Sequence, residues 1–179
     1  MNRVRIIGGG HRSRWIEFPD VDGLRPTPDR VRETLFNWLG QNLDGKCCLD
    51  LFAGSGALGF EAMSRGASTV VMVENNRAAF HALQQNSKKL AGTNLLLQHE
   101  DGLQFLRREQ RRYDVIFLDP PFNSDMLIQA LPLLASRLTE EGVVYVETGT
   151  AFEAGTPWQV VKSAKAGKVY YQLLRQDIT

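Results

Sequence analysis

Nowhere does the sequence hold an apolar run long enough to span a bilayer. Its start, Met1-Asn2-Arg3-Val4-Arg5, leads into Ile6-Ile7-Gly8 instead of the apolar core of a secretion signal, so a cytoplasmic chain is expected. Cysteine is scarce: Cys47 and Cys48 are the two, adjacent in an apolar stretch. Neighbours in a strand point to opposite faces, which argues against a disulfide between them. The three histidines, His11, His81 and His99, lie far apart and match no zinc spacing, so no metal is expected. An excess of one charge is lacking too. With 21 Lys and Arg against 20 Asp and Glu, the net charge is +1, which does not suggest a long electrostatic track for nucleic acid. Internal repeats, low-complexity tracts and disordered linkers are also missing.

What is there fits one domain over residues 1–179. Its expected parts are a basic hairpin appendage (1–23), an N-terminal helix (24–44) and a catalytic core (45–179). In the appendage, Arg3–Ile7 and Arg14–Phe18 flank Gly8-Gly9-Gly10 as two strands would flank a turn. Thr27-Pro28-Asp29 reads as an N-cap, a first-turn proline and a first-turn acid, and Val31, Leu35 and Leu39 continue one apolar face to about Leu43.

From Lys46 onward, apolar runs alternate with helical patterns. Strands are expected at Cys47–Phe52, Thr69–Glu74, Asn94–Gln98, Tyr113–Leu118 and Val143–Glu147. Helices are expected near Ala57–Arg65, Arg77–Leu90, Gly102–Glu109 and Met126–Leu138. Strands apolar on both faces and separated by helices imply a parallel sheet covered on both sides. Trp158–Ala164 and Lys168–Leu174 break that rhythm as an antiparallel hairpin about Lys165-Ala166-Gly167. The expected fold class is therefore α/β, a Rossmann-like, doubly wound and mostly parallel sheet with hairpins at both ends of the chain.

The first core strand runs into Gly54, Gly56 and Gly59 of a G-x-G-x-x-G pattern, and Glu74 ends the next strand. Glycines let the backbone approach a ligand, and an acid at that distance accepts hydrogen bonds from ribose hydroxyls. NAD and S-adenosyl-L-methionine both satisfy this pattern. Asp50, beside the turn, would repel a pyrophosphate and attract the ammonium and sulfonium of S-adenosyl-L-methionine, although it would equally cap loop amides. Asp101, after the third strand, would either accept from an adenine amino group or cap the next helix.

Asp119-Pro120-Pro121-Phe122 follows the fourth strand and should face the same crevice as the glycine loop. The prolines stiffen the turn and remove amide donors. The Asp119 carboxylate and Pro120 carbonyl would take the two protons of an exocyclic amino group, and Phe122 would stack on an extruded base. Arg3, Arg5, Arg12 and Arg14 of the hairpin are candidates for RNA contact, extended by Arg25, Arg30 and Arg32. The cluster Arg107, Arg108, Arg111 and Arg112 reads as a solvated helix end.

The tetrad resembles the (Asp/Asn)-Pro-Pro-(Tyr/Phe/Trp) signature of class I amino-methyltransferases acting on adenine, cytosine or guanine. Arg5–Gly9, Leu24–Leu39, Phe52–Gly59 and Asp119–Phe122 together resemble the RsmD family over nearly the whole chain. That resemblance implies S-adenosyl-L-methionine-dependent methylation of guanine N2 at position 966 of 16S rRNA, within the small subunit or its assembly intermediate. It implies that Asp50, Phe52, Gly54 and Gly56 surround the methionine end of the cofactor, and that Glu74 holds the ribose. Asp101 and Gly102 would lie at the adenine, and Asp119, Pro120 and Phe122 at the guanine. Asn75 stands where the family often has an acid, and Ser13 where it often has a glycine. Adenine N6 as the target, an NAD-dependent oxidoreductase and a non-catalytic RNA-binding assembly factor stay open from the motifs alone.

Overall fold

A computed structural model describes residues 1–121 and 125–177. β1 (Asn2–Arg5) and β2 (Trp15–Phe18) pair antiparallel, with Arg3 opposite Glu17 and Val4 opposite Ile16. Alternation buries Val4, Ile6, Ile16 and Phe18 in the main core and leaves Arg3, Arg5 and Trp15 outside. Ser13 in the connecting turn adopts φ 71°, the left-handed region that favours glycine.

α1 (Asp29–Trp38) departs from expectation at both ends. Pro28 holds the cap position with no side-chain cap bond. Thr27 does not cap the helix, because its hydroxyl donates to Glu147 instead. The helix stops at Trp38, short of Leu43, where Gly40 (φ 93°) and Gln41 (φ 70°) turn the chain and their amides close onto Asn37 O and Phe36 O.

Next come β3 (Cys47–Asp50), α2 (Ala57–Ser64), β4 (Thr69–Glu74), α3 (Arg77–Lys89), β5 (Leu95–His99), α4 (Gly102–Arg108) and β6 (Tyr113–Leu118). α5 (Met126–Leu134) ends four residues before the expected Leu138. A 3-10 turn at Ala135–Arg137 follows, and β7 (Leu138–Thr148) begins where the helix was expected to finish. β8 (Trp158–Ala166) and β9 (Val169–Gln176) form the final hairpin, whose turn lies at Gly167 (φ 59°).

One sheet runs β5-β4-β3-β6-β7-β9-β8, parallel from β5 to β7 and antiparallel thereafter. The α/β class, the doubly wound sheet and both hairpins are thus as the sequence implied. α1, α2, α3 and the N-terminal hairpin pack on one face, α4 and α5 on the other. Cys48 joins the first core and Cys47 packs against the second, and both are free thiols. No described helix is long and apolar enough to cross a membrane. Strand order reverses between β3 and β6, so a crevice opens beyond their carboxyl ends.

Candidate active site

The glycine loop is held open by conformation and crowding together. Gly54 (φ 55°) and Gly56 (φ 85°) both lie in the left-handed region, and the Gly56 amide closes a turn onto Ala53 O at 2.8 Å. A β-carbon on Gly56 would lie 2.5 Å from the Phe60 ring, and one on Gly59 would lie 2.6 Å from Met72 Cε. Gly59 therefore lets α2 approach β4. Gly102 serves the same end across the crevice, since a β-carbon there would meet Phe52 at 2.9 Å and Leu51 O at 3.1 Å. Leu24 lies over Gly54, with its Cδ1 2.8 Å from where a β-carbon would stand. The segment leading to α1 is thus a wall of the crevice.

Acids end the parallel strands. Asp50, 2% exposed, accepts from the Gly59 amide at 3.0 Å. Burial pushes its carboxyl up to about 7, against that hydrogen bond, and the Glu74 charge adds to the rise. Glu74 accepts from the Gly54 amide at 2.8 Å with one oxygen and from the Asn76 amide at 2.7 Å with the other. It ties β4 to the glycine loop while each oxygen keeps a further lone pair. Asp101 caps α4 through Oδ2, which accepts from the Gln104 amide at 3.1 Å. Asp101 thus caps its helix, whereas Asp50 accepts from a first-turn amide of α2 and not from a loop amide.

Asp119 and Pro120 follow β6 into the same crevice, Pro120 buried and Asp119 partly so. Phe122 lies outside the described residues. Beside Asp119 stands Glu147, which the sequence reading passed over. β6 and β7 pair with Leu118 opposite Val146, so Asp119 and Glu147 leave adjacent strands side by side. Two carboxyls brought this close act strongly on each other, and Thr27 Oγ1 donates to Glu147 Oε2 at 3.2 Å. Burial and the Glu147 carboxylate raise the Asp119 carboxyl well above the usual range. Burial also raises Glu147, while Asp119 beside it and the Thr27 hydroxyl favour its charged form. A signal for Glu147 was present: it is an acid directly after an apolar run, as Asp50, Glu74 and Asp119 are.

The basic residues divide. Arg3 and Arg5 flank the Trp15 ring, their guanidinium carbons 4.3 and 5.9 Å from its centroid, and all three side chains are exposed. Arg12 and Arg14 belong to the turn that packs on the C-terminal end of α2, where the Gly10 amide donates to Ser64 O at 2.8 Å. The glycine loop is at the other end of that helix, so these two arginines lie away from the crevice. Arg25 and Arg30 are exposed, and Arg25 adjoins Leu24, which lies over Gly54.

Arg32 corrects the sequence reading. It is 1% exposed and adds nothing to the surface charge. It donates to Thr27 O, Arg5 O, Asp29 and Glu61. Glu61 of α2, wholly buried, also accepts from Arg65 and from the amides of Ile7 and Gly8. Hairpin, α1 and α2 therefore meet on one carboxylate. In the second cluster, Arg108 pairs with Glu100, Arg111 with Glu109, and Arg112 with the Leu138 carbonyl.

The family described as Conserved hypothetical protein 95 matches residues 4–175. Ribosomal RNA small subunit methyltransferase D of Escherichia coli (strain K12) is 40% identical over 182 residues, covering 98% of this chain and 91% of that protein. The protein of the same name from Haemophilus influenzae is 40% identical over 178 residues, covering 95% and 92%. The solved structure of yhhF from Escherichia coli superimposes with a TM-score of 0.90 at 38% identity, over 99% of this chain and 100% of that one.

Proposed function

The chain belongs to the RsmD family, and from that premise we propose that it is a cytoplasmic S-adenosyl-L-methionine-dependent methyltransferase acting on guanine N2 of 16S rRNA. The target guanine is the one at position 966, met in the small subunit or its assembly intermediate. One observation carries this reading: the glycine loop with its buried Asp50 and the Asp119-Pro120 ledge face one crevice at the reversal of strand order.

The residues present fit S-adenosyl-L-methionine. Burial raises the Asp50 carboxyl, and a cationic ammonium beside it would favour its charged form. A pyrophosphate in that place would face a buried acid, which disfavours NAD. Gly54, Gly56 and Phe52 line the methionine end, Glu74 holds the ribose, and Asp101 and Gly102 border the adenine. When bound, the cofactor supplies an electrophilic methyl group on a sulfonium, so the new C–N bond uses the nitrogen lone pair and the C–S pair stays on sulfur.

The chain's own part is alignment. Asp119 and the Pro120 carbonyl take the two amino protons, which directs the nitrogen lone pair toward the methyl donor. Phe122 stacks on the base and keeps it in the crevice. Arg25 and Arg30 meet RNA at the mouth, while Arg3, Arg5, Arg12 and Arg14 engage it farther along the hairpin.

Labelled methyl transfer to naked 16S rRNA and to small subunits, followed by nucleoside analysis, tests the proposal. N2-methylguanosine is expected, with Asp119→Ala abolishing it while the fold persists. N6-methyladenosine, or transfer undiminished in Asp119→Ala, would overturn it.

A further inference from the structure

In the proposed site Asp50 and Glu74 face the cofactor and Asp119 the base, which leaves Glu147 without a role. It is 4% exposed, it adjoins Asp119 across the β6–β7 pairing, and Thr27 fixes its outer oxygen. We propose that Glu147 is a positioning residue acting through Asp119: it accepts the Asp119 carboxyl hydrogen bond and receives, by way of it, the proton lost from the amino group on methylation. This rests on the amino-methyltransferase reading above.

An amino nitrogen that gains a methyl becomes acidic and must shed a proton inside a buried crevice. Two adjoining carboxyls in so dry a place do not both stay charged, and the Thr27 hydroxyl donates to Glu147, which leaves Asp119 as the group that donates to its neighbour. It accepts with its other oxygen. The N–H bond breaks with its electron pair kept by nitrogen, the proton lands on that oxygen, and the proton Asp119 already carried passes to the Glu147 carboxylate. The positive charge of the nitrogen and the negative charge of the pair cancel, so no isolated ion is left out of water. Thr27 keeps Glu147 facing Asp119, and this explains why the threonine gives up the helix cap.

Two other ionisable groups face the pair. Asp50, from β3, adds a like charge that raises Asp119 further, and Glu74 acts on Asp50 in turn. The Tyr145 phenol, from β7, has no hydrogen-bond partner among the described residues. Burial and the charges of Glu147, Asp119 and Tyr171 hold it neutral, so it does not compete as a base.

Infrared titration of the protonated carboxyl stretch tests the pair without RNA or cofactor. In the wild-type chain part of the band should persist above the loss of Asp50 at about 7. Glu147→Gln should remove that part, and Thr27→Val should move it to higher pH because a hydrogen bond favouring the anion is gone. Thr27→Val serves on its own should Glu147→Gln not fold. A titration unmoved in either variant overturns the inference. In single-turnover methyl transfer, Glu147→Gln should slow the step about 100-fold with KM changed less than about threefold. Transfer at the wild-type rate also overturns it. A wild-type chain that methylates no guanine refutes the proposed function instead, and the infrared result still reports on the pair.

Discussion

Replacing Glu61 by Gln changes one oxygen for nitrogen in a side chain with no exposed surface, and the cost can be worked from its partners. Oε1 accepts from the Ile7 amide at 2.9 Å and Arg32 Nη1 at 3.0 Å. Oε2 accepts from the Gly8 amide at 2.9 Å and Arg65 Nε at 2.8 Å. In either flip the new NH2 faces one amide and one guanidinium, so two donors lose their acceptor. The charge that balanced two buried arginines is lost as well. Arg32 keeps Asp29 and Arg65 keeps the Gln41 side chain, which limits the damage. Breaking a buried ion pair from one side costs about 3–5 kcal/mol, a large part of the roughly 5–15 kcal/mol that holds a domain folded. About 4 kcal/mol is the expected loss, read as a lower urea midpoint. Asp29→Asn is the control: its side chain is 57% exposed, so removing that pair should cost at most about 1 kcal/mol. Hydrogen exchange should show the Ile7 and Gly8 amides unprotected in Glu61→Gln before the sheet amides open. A Glu61→Gln midpoint no lower than that of Asp29→Asn would refute the view that this carboxylate holds hairpin and helices together.

Gly56→Ala should lower stability by about 2 kcal/mol or more and abolish cofactor binding by calorimetry, because it joins a left-handed φ to a 2.5 Å clash. Asp50 has a folded-state carboxyl raised to about 7, so the folded chain binds a proton there that the unfolded chain has already released. Its contribution is fully present below about pH 4 and is lost as pH rises through 7. Asp50→Asn should therefore be more stable than wild type at pH 8 by about 2–4 kcal/mol, and equal or weaker at pH 4, while losing the cofactor. A melting difference independent of pH would count against the buried acid. Arg3→Ala with Arg5→Ala should lower the slope of log affinity for RNA against log salt by about 1–1.5, and an unchanged slope would remove these residues from the interface.

The sheet was legible because its signal is local. Six-residue runs such as Thr69–Glu74 and Tyr113–Leu118 are apolar on both faces, and the structure reproduces those bounds. α2, α3 and α4 also begin where expected and end within a residue of it, but the start of α1 and the end of α5 were decided by tertiary contacts. Thr27 has the composition of an N-cap, yet the unpaired lone pairs of a buried Glu147 more than a hundred residues away took its hydroxyl. The run after Met126 carries helical spacing through Leu138, but β6 needs a partner along its whole length, and Tyr113 pairs with Leu138.

The same distinction separates what was read of the site from what was missed. Gly54, Gly56, Asp50 and Asp119 belong to motifs whose residues lie close in sequence, so spacing alone exposes them as candidates. Arg32, Glu61 and Glu147 act through partners that only the folded chain brings near. Arg32 joined the surface arginines in the sequence reading because a charge pattern on a helix gives no sign of which face is covered. Only the approach of Glu61, from 29 residues further on, makes its burial affordable. Glu147 is the sharper case. Its position after an apolar strand is the one that marked Asp50, Glu74 and Asp119, and only the β6–β7 register makes it a neighbour of Asp119. In a doubly wound sheet every acid at a carboxyl end of the parallel strands belongs to the crevice by topology, whether or not a motif surrounds it.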